Sequence, residues 1–279
     1  MMEAKVEQGV FETIGGYRTH YHEAGAGEGK PLLLIHGSGP GVSAWANWRL
    51  VFPLLADDFQ LYAPDLVGFG QTEKPRITYS VDVWVDHLIA FIEQKNLAPV
   101  SIIGNSLGGA LALHIAHRRP EWIDKLILMG SAGIRFQLTE GLDKVWGYEP
   151  SLENMRNLIR IFAYDQTMAE KDDLVEMRYK ASIQEGAHES YASMFPAPRQ
   201  RWVDELSLSE EALRSIDKPT LLIHGREDRV LPVAETSWRL AQLLPRAEFH
   251  MFSQCGHWTQ IEKTEAFCRL VKHFLKNNG

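Results

Sequence analysis

The five residues GNSLG at 104–108 constrain the fold of this chain more than any other feature. The short stretch 100–103 before them is rich in β-branched residues and predicts a buried parallel strand, and the alanine- and leucine-rich residues 109–116 after them predict a helix. A serine between two glycines at a strand-to-helix junction is typical of a nucleophile elbow, a sharp and strained turn that lifts the Ser106 hydroxyl above the sheet. The bland alternative is a glycine-containing turn that carries a surface serine.

Strand and helix patterns alternate on both sides of this turn, which predicts the α/β class with a mostly parallel sheet covered by helices on both faces. At the N-terminal end, residues 6–24 predict two strands joined by a hairpin turn at Gly15-Gly16. Ser80 is a plausible N-cap for a long amphipathic helix that follows it. The further predicted strands are residues 31–35, 59–64, 125–130, 219–225 and 247–252.

The alternation stops between residues 134 and 212, where no strong strand signal occurs. Apolar residues at helical spacing predict two amphipathic helices there, one over 152–162 and one over 174–181. We therefore expect a core domain made of residues 1–133 and 213–279, with residues 134–212 inserted as a helical lid. A plain helical subdomain with an ordinary core is the alternative.

Composition limits the class of partner and the compartment. The chain has 279 residues with 45% hydrophobic content, which fits one large globular domain with an insertion. A net charge of -7 argues against nucleic acid or an anionic membrane as the partner. Two cysteines, Cys255 and Cys268, fit a reducing compartment, and no apolar run resembles a signal peptide or a membrane span. These features predict a cytoplasmic location.

A serine nucleophile needs a base, and the base needs an orienting acid; with an elbow of this kind the expected chain order is serine, acid, histidine. Asp228 follows the predicted strand that ends at Gly225, and His257 follows the next strand, at the sheet edge that also carries Ser106. Glu227 is the rival acid, and we favour Asp228 because adjacent side chains point apart. Cys255 is expected to be a small buried residue rather than a nucleophile.

The loop after the predicted strand at 31–35 reads HGSGPG over residues 36–41. A dinucleotide-binding fingerprint would require glycine at Val42 and a helix start at Pro40, so that interpretation is disfavoured. An oxyanion loop, in which glycines let backbone N–H groups approach a substrate, fits better.

Two histidine pairs have spacings that could chelate a metal: His20 with His22, and His114 with His117. Neither pair has a third ligand suggested nearby. We expect His20 and His22 to be surface residues, His114 and His117 to be structural, and no metal to be bound.

A resemblance to a known family rests on six segments: residues 36–41, 45–49, 104–106, 146–147, 194–196 and 255–260. In these segments the chain resembles the meta-cleavage product hydrolases, carbon–carbon bond hydrolases of the α/β-hydrolase fold. The likeness covers nearly the whole chain and is greatest for the branch of the 2-hydroxymuconic semialdehyde hydrolase type, which acts on monocyclic ring-fission products. Leu107 departs from the Phe or Met of many relatives.

The resemblance implies hydrolysis of the C5–C6 bond of 2-hydroxy-6-oxo-hexa/hepta-2,4-dienoate-type substrates, giving 2-hydroxypenta-2,4-dienoate and a short carboxylic acid. It implies a small anionic substrate, no metal or organic cofactor, and a homodimer. Whether the serine attacks directly or assists water through a gem-diol stays open. A carboxylesterase or lactonase with the same triad is the alternative enzyme, and a non-catalytic binding protein is the alternative of another class.

Site residues follow from the same resemblance, position by position. Arg178, Asn47, Asn105 and Trp258 correspond to groups around the dienoate end of the substrate. From the residues alone, Arg178 could be a solvated helix arginine, Trp258 a packing residue and Asn47 a helix cap. The implied catalytic residues are Ser106, Asp228 and His257, with the backbone N–H groups of Ser38 and Leu107 as the oxyanion hole.

Overall fold

The computed structural model describes residues 8–25 and 29–277. Its centre is an eight-stranded sheet with the spatial order β1-β2-β4-β3-β5-β6-β7-β8. Strand β2 pairs antiparallel with β1 and with β4, and every other pair in the sheet is parallel. The strands are β1 (Val10–Ile14), β2 (Tyr17–Ala24), β3 (Lys30–Ile35), β4 (Phe59–Pro64), β5 (Val100–Asn105), β6 (Ile123–Met129), β7 (Thr220–Gly225) and β8 (Ala247–Phe252).

Helices connect the parallel strands, and six of them lie between β6 and β7. The chain also forms two short 3₁₀ helices: Pro120–Trp122 directly before β6, and Gln166–Glu170 between β6 and β7. The α-helices are α1 (Ala44–Trp48), α2 (Phe52–Leu55), α3 (Val81–Gln94), α4 (Leu107–Arg118), α5 (Glu140–Trp146), α6 (Leu152–Phe162), α7 (Asp172–Ser182), α8 (Ala187–Met194), α9 (Gln200–Glu205), α10 (Glu210–Arg214), α11 (Ser237–Leu243), α12 (Thr259–Glu262) and α13 (Thr264–Lys276).

Buried apolar residues form one cluster on each face of the sheet. The smaller cluster packs the short helices α1 and α2 and the C-terminal helix α13 against one face, with Trp48, Phe52 and Phe267 among its largest members. The larger cluster packs α3, α4 and the inserted helices against the other face. Strands covered on both sides explain the continuous apolar runs in the sequence, and the predicted fold class is confirmed.

Local signals place several of these elements where the sequence predicts them. Gly15 and Gly16 both have positive φ, of 56° and 89°, and form the turn between β1 and β2. The Ser80 hydroxyl accepts a hydrogen bond from the Val83 N–H, so Ser80 is the N-cap of α3. Ser151 caps α6 in the same way, at the start of the predicted amphipathic helix.

The stretch between β6 and β7 is helical, as predicted. Helix α6 turns Met155, Leu158, Ile159 and Phe162 inward, while Leu152 at its start is exposed. How this stretch divides from the core as a domain stays a prediction. Across the described residues, the structure has no helix with the length and apolar character needed to cross a membrane.

The parallel register brings three strand ends together. Gly104 of β5 is the register partner of Leu128 of β6, and Gly225 of β7 is the partner of Phe252 of β8. Residues that directly follow β5, β7 and β8 therefore lie at one edge of the sheet, where open parallel sheets bind their ligands.

Candidate active site

The turn after β5 is as sharp as the sequence predicts. Ser106 has φ 54° and ψ -112°, a strained conformation for a residue with a side chain, and the first residue of α4 follows it. A Cβ at Gly104 would lie 2.4 Å from the Gly108 carbonyl oxygen, and one at Gly108 would lie 2.3 Å from the Ile35 carbonyl oxygen. Only glycine fits at both positions, because any side chain would push the helix away from the strands.

Asp228 and His257 meet at the same edge of the sheet. Asp228 Oδ2 accepts a hydrogen bond from His257 Nδ1 at 2.7 Å, while Oδ1 accepts from the backbone N–H groups of Val230 at 2.7 Å and Leu231 at 3.0 Å. Burial alone would raise the pKa of Asp228, but the charge of His257 and the hydrogen bonds of His257 and His224 outweigh it and hold that pKa below its usual value. Asp228 is therefore a carboxylate at neutral pH.

Several contacts fix the His257 ring. Its backbone N–H donates to the Phe162 carbonyl oxygen at 2.7 Å, and its ring stacks on the Phe162 ring at a centroid distance of 5.8 Å. A Cβ at Gly130 would lie 3.2 Å from His257 Nδ1, so glycine leaves room for the imidazole. Within residues 8–25 and 29–277, no hydrogen bond joins the Ser106 hydroxyl to His257; such bonds often tighten only when substrate is bound.

Glu227 has a different partner from its neighbour. Its Oε2 accepts a hydrogen bond from the Cys255 N–H at 3.0 Å, and its Oε1 is paired with Arg226. The geometry thus pairs Asp228, rather than Glu227, with His257. Cys255 is fully buried, and burial raises the pKa of its thiol to about 12, so it is an inert residue at neutral pH.

The loop after β3 lies against the Ser106 turn. A Cβ at Gly37 would lie 3.2 Å from Ser106 Cβ. His36 accepts a hydrogen bond from the Leu66 N–H at Nε2, so Nδ1 carries the proton and donates to the Gly37 carbonyl oxygen at 2.8 Å. Leu107 is the first residue of α4, and the N–H groups of a first helical turn have no acceptor within the helix. The loop therefore lies close to the start of α4, and the role of its N–H groups stays a prediction.

A polar cavity opens on one side of this loop. Two of its polar residues come from the sheet side: Asn105, whose Nδ2 donates to the Met129 carbonyl oxygen at 3.3 Å, and Asn47. Asn47 Nδ2 is buried without a hydrogen-bond partner. Since a buried unpaired donor is costly, this amide is suited to a ligand acceptor. Its lining includes Gly37, Ser38, Asn47, Asn105, Phe162, Arg178, His257 and Trp258.

Arg178 enters the polar cavity from helix α7. Its guanidinium lies over the Trp258 ring, 4.6 Å from the ring centroid, and Trp258 in turn stacks on Phe162 at 4.8 Å. Burial, with the charge of Arg49 added, lowers the pKa of Arg178 to about 10, so the side chain is still a cation at neutral pH. Arg178 is half-buried at a cavity rather than on a solvated helix face.

An apolar cavity lies on the other side of the same loop, and Ser38 lines both. The Trp146 indole N–H donates to the Ser38 hydroxyl at 3.0 Å, and the Trp146 ring stacks on Phe195 at 4.5 Å. The inserted helices therefore contact the loop directly. The lining of the apolar cavity is Ser38, Ser106, Leu107, Ala132, Phe136, Leu142, Trp146, Val203, Leu206 and Leu231.

One alternative is excluded, and one expectation is wrong. Asn47 does not cap a helix, because it lies within α1, whose N-cap is Ser43. His20 and His22 are buried rather than at the surface, because β2 lies inside the sheet and not at its edge. Among the residues that the structure describes, no group of three or more His, Cys, Asp or Glu side chains is arranged to hold a metal.

Sequence reasoning missed one residue that contacts the pair. His224, in β7, is fully buried, and its Nε2 lies 3.0 Å from Asp228 Oδ2. The signal that could have found it is its position: it lies four residues before Asp228, at the end of the strand that places this acid.

Comparison with known proteins agrees with the fold. The family model described as alpha/beta hydrolase fold matches residues 30–264. A 2-hydroxymuconate semialdehyde hydrolase of Pseudomonas sp. strain CF600 is 53% identical over 93% of this chain and 91% of its own. A 2-hydroxy-6-oxo-2,4-heptadienoate hydrolase of Pseudomonas putida strain F1 is 51% identical over 99% of both chains.

A solved structure adds to this. A meta-cleavage product hydrolase from Pseudomonas fluorescens IP01, crystallised as a serine-to-alanine mutant complexed with acetates, superposes with a TM-score of 0.94. It is 51% identical, and the alignment covers 97% of this chain and 98% of that one. The chain thus has the fold and the relatives of a serine-type hydrolase. It belongs to the α/β hydrolase fold family and, within that family, to the meta-cleavage product hydrolases.

Proposed function

We propose that this protein hydrolyses the C5–C6 bond of 2-hydroxy-6-oxo-hexa/hepta-2,4-dienoate-type meta-cleavage products in the catabolism of monocyclic aromatic compounds. Relatives that are 51–53% identical are named for substrates of this class. The observation that carries the proposal is the polar cavity beside Ser106, where the cationic Arg178 and the unpaired Asn47 amide face the same space. A carboxylate and a neighbouring oxo group fit that pair of donors.

The two cavities orient the substrate in this proposal. The C1 carboxylate and the C2 oxygen enter the polar cavity, with Arg178, Asn47, Asn105 and Trp258 around them. The C6 carbonyl lies at Ser106, between the cavities, and the C6 substituent enters the apolar cavity. An apolar lining favours a hydrogen or a small alkyl group at C6 and disfavours a charged one, because burial of an unpaired charge is costly.

The proposed reaction begins when the dienol becomes its keto tautomer, with Arg178 and Asn47 stabilising negative charge at the C1 and C2 end. Ser106 then attacks the C6 carbonyl while His257 takes the hydroxyl proton, Asp228 orients His257, and the N–H groups of Ser38 and Leu107 bind the oxyanion. The C5–C6 bond breaks, and its electron pair passes through the conjugated chain to the C2 oxygen, which takes a proton. Water then hydrolyses the acyl-enzyme, and the products are 2-hydroxypenta-2,4-dienoate and a short carboxylic acid. This scheme uses no metal or organic cofactor.

The inserted helices act as a lid over the two cavities in this scheme. They supply Arg178 to the polar cavity and Trp146 and Val203 to the apolar cavity, so their closure excludes water from both. We also propose that the protein is cytoplasmic and that it forms a homodimer. Sedimentation of the purified protein measures the oligomeric state directly.

The test compares Arg178→Ala with Lys180→Ala. Lys180 is on the same helix, but it is exposed and paired with Glu176, so its loss should change little. A charge-assisted pair in a closed site is worth a few kcal/mol, so Arg178→Ala should lower kcat/KM for the ring-fission product by about 100-fold or more. Hydrolysis of p-nitrophenyl acetate, which has no carboxylate to bind, should change much less.

Two results would oppose the proposal. An equal loss on both substrates would mean that Arg178 only holds the lid in place, and no loss on either would favour an ordinary carboxylesterase or lactonase. Ser106→Ala is the reference variant and should abolish both activities while substrate still binds, because loss of a triad nucleophile costs many orders of magnitude. The decay of the yellow dienolate chromophore follows the first activity, and p-nitrophenolate release follows the second.

A further inference from the structure

We propose that His224 is a positioning residue for the catalytic pair and acts through Asp228. This inference rests on the proposed triad but adds a residue that the triad does not contain. His224 Nε2 lies 3.0 Å from Asp228 Oδ2, the same oxygen that accepts the hydrogen bond from His257 Nδ1 at 2.7 Å. Two histidines therefore share one oxygen of the buried acid.

The contacts of His224 define its protonation. Nε2 faces two acceptors, Asp228 Oδ2 and the Leu231 carbonyl oxygen at 3.1 Å, so Nε2 must carry a proton. Nδ1 lies 2.7 Å from the Ser237 hydroxyl, which can donate to it. A neutral ring with the proton on Nε2 satisfies all three contacts. His224 is then a fixed N–H donor to the acid.

This donor completes the hydrogen bonding of Asp228. A carboxylate has about four acceptor sites, and here two backbone N–H groups occupy Oδ1 while two imidazole N–H groups occupy Oδ2. The carboxylate cannot rotate without breaking several of these bonds at once. The hydrogen bond from His224 also lowers the basicity of Oδ2. Asp228 therefore stabilises the protonated form of His257 less than it would without His224.

Removal of His224 should therefore change the pH dependence of kcat/KM in a defined direction. Without the second donor, Oδ2 interacts with His257 alone and stabilises its protonated form more strongly. His257 must lose that proton to act as a base, so the acid limb of the kcat/KM profile should move to higher pH. The other titratable groups around the pair remain in every variant and form a constant background: Glu227, Arg229, Cys255, Glu262, Lys263 and Arg178.

The experiment uses three variants of the full-length enzyme, with kcat/KM for p-nitrophenyl acetate measured from about pH 5 to about pH 9. His224→Leu removes the donor, His224→Gln keeps an N–H donor at a similar reach, and Ser237→Ala perturbs the same buried network without touching Asp228. We expect His224→Leu to lose about tenfold in kcat/KM and to shift the acid limb upward by about half a pH unit or more. His224→Gln should keep the limb near its wild-type position, and Ser237→Ala should lower the unfolding temperature without moving the limb.

Several outcomes would overturn the inference. The first is an acid limb of the kcat/KM profile that stays in place or moves to lower pH in His224→Leu. The second is a shift of that limb in His224→Gln as large as the shift in His224→Leu. The third is an equal shift in Ser237→Ala. Asp228→Asn, assayed alongside, separates this inference from the proposed triad. If Asp228→Asn keeps near wild-type activity, the triad itself is wrong; if it is inactive while His224→Leu shows no shift, only the role of His224 is refuted.

Discussion

Among the described residues, two buried aspartates, Asp65 and Asp228, each accept a hydrogen bond from the Nδ1 of a histidine, and the histidine paired with Asp228 in this way, His257, lines a cavity. Asp65 follows β4 and accepts a hydrogen bond from His20 Nδ1 at 2.9 Å, much as Asp228 follows β7 and accepts from His257 Nδ1 at 2.7 Å. Both carboxylates also accept backbone N–H groups. Burial alone would raise the pKa of each acid, yet the paired histidine and the other donors hold both pKa values low.

The difference lies in the second ring nitrogen of each histidine. His20 Nε2 lies 2.9 Å from the Gln8 carbonyl oxygen, so both of its nitrogens face acceptors, an arrangement that favours the protonated ring, and the pKa of His20 is raised. In the described part of the chain, His257 Nε2 has no hydrogen-bond partner, and the ring lines the polar cavity. The same two residue types thus give a closed pair that joins segments and an open pair whose outer nitrogen is able to take a proton.

The largest effect that the comparison predicts is on activity. Asp228→Asn should lower kcat by about 10⁴-fold, because an amide cannot fix the imidazole tautomer that a carboxylate fixes. Glu227→Gln is the matched control: its side chain contacts Cys255 N–H and Arg226 rather than a histidine, so kcat should stay within about tenfold of wild type. Steady-state rates with a ring-fission product measure both. A damaging Glu227→Gln with a harmless Asp228→Asn would reverse the assignment of the acid.

The second-largest predicted effect is a loss of unfolding free energy when the closed pair, Asp65 and His20, is broken. Asp65 accepts from Ala44 N–H at 2.6 Å and from Gln71 N–H at 2.8 Å as well as from His20, so it joins β2 to the segments after β3 and β4. Removal of one partner of a buried pair costs about 3 kcal/mol or more, and Asp65→Asn should lose this much in urea unfolding. Activity per folded molecule should fall far less than in Asp228→Asn.

Asp58→Asn supplies the surface control for that measurement. Asp58 pairs with Lys272 and Lys276 near the surface, and such pairs contribute about 1 kcal/mol or less. If Asp65→Asn lowered the unfolding free energy no more than Asp58→Asn does, the closed pair would not stabilise the fold. If Asp65→Asn abolished activity without loss of stability, the two pairs would not differ in kind.

This comparison also shows where sequence reasoning succeeds and where it fails. The strand-to-helix turn at Ser106 could be predicted because glycine spacing and apolar runs are local signals, and the same holds for the cap at Ser80. The prediction for His20 failed because its partner Asp65 is 45 residues away, and nothing local shows that β2 lies inside the sheet.

The residues around Asp228 mark the same limit. Chain order and strand ends point to an acid near residue 228, but they separate it from Glu227 only by an argument about side-chain direction. The bonds of Glu227 and Asp228 to different partners depend on how the segment after β8 folds back, which the sequence does not state. The resemblance to a family named Arg178 and Asn47, whereas their positions at a cavity required the fold.

The smallest predicted effect is a pH dependence of stability at the closed pair. Burial by itself would lower the pKa of His20, but the hydrogen bond and charge of Asp65 raise it above the usual value. A raised folded-state pKa gives stability that is fully present below the unfolded pKa of about 6.5 and is lost as the pH rises through the folded value. The gap in unfolding free energy between wild type and His20→Gln should therefore be larger near about pH 5.5 than near about pH 9. Urea unfolding at the two pH values measures this gap, and Asp65 remains ionised at both because its pKa is lowered. A gap that is the same at both values would mean that His20 is not held as a cation. The closed and open pairs would then differ only in exposure to a cavity, and not in the protonation that their second nitrogens impose.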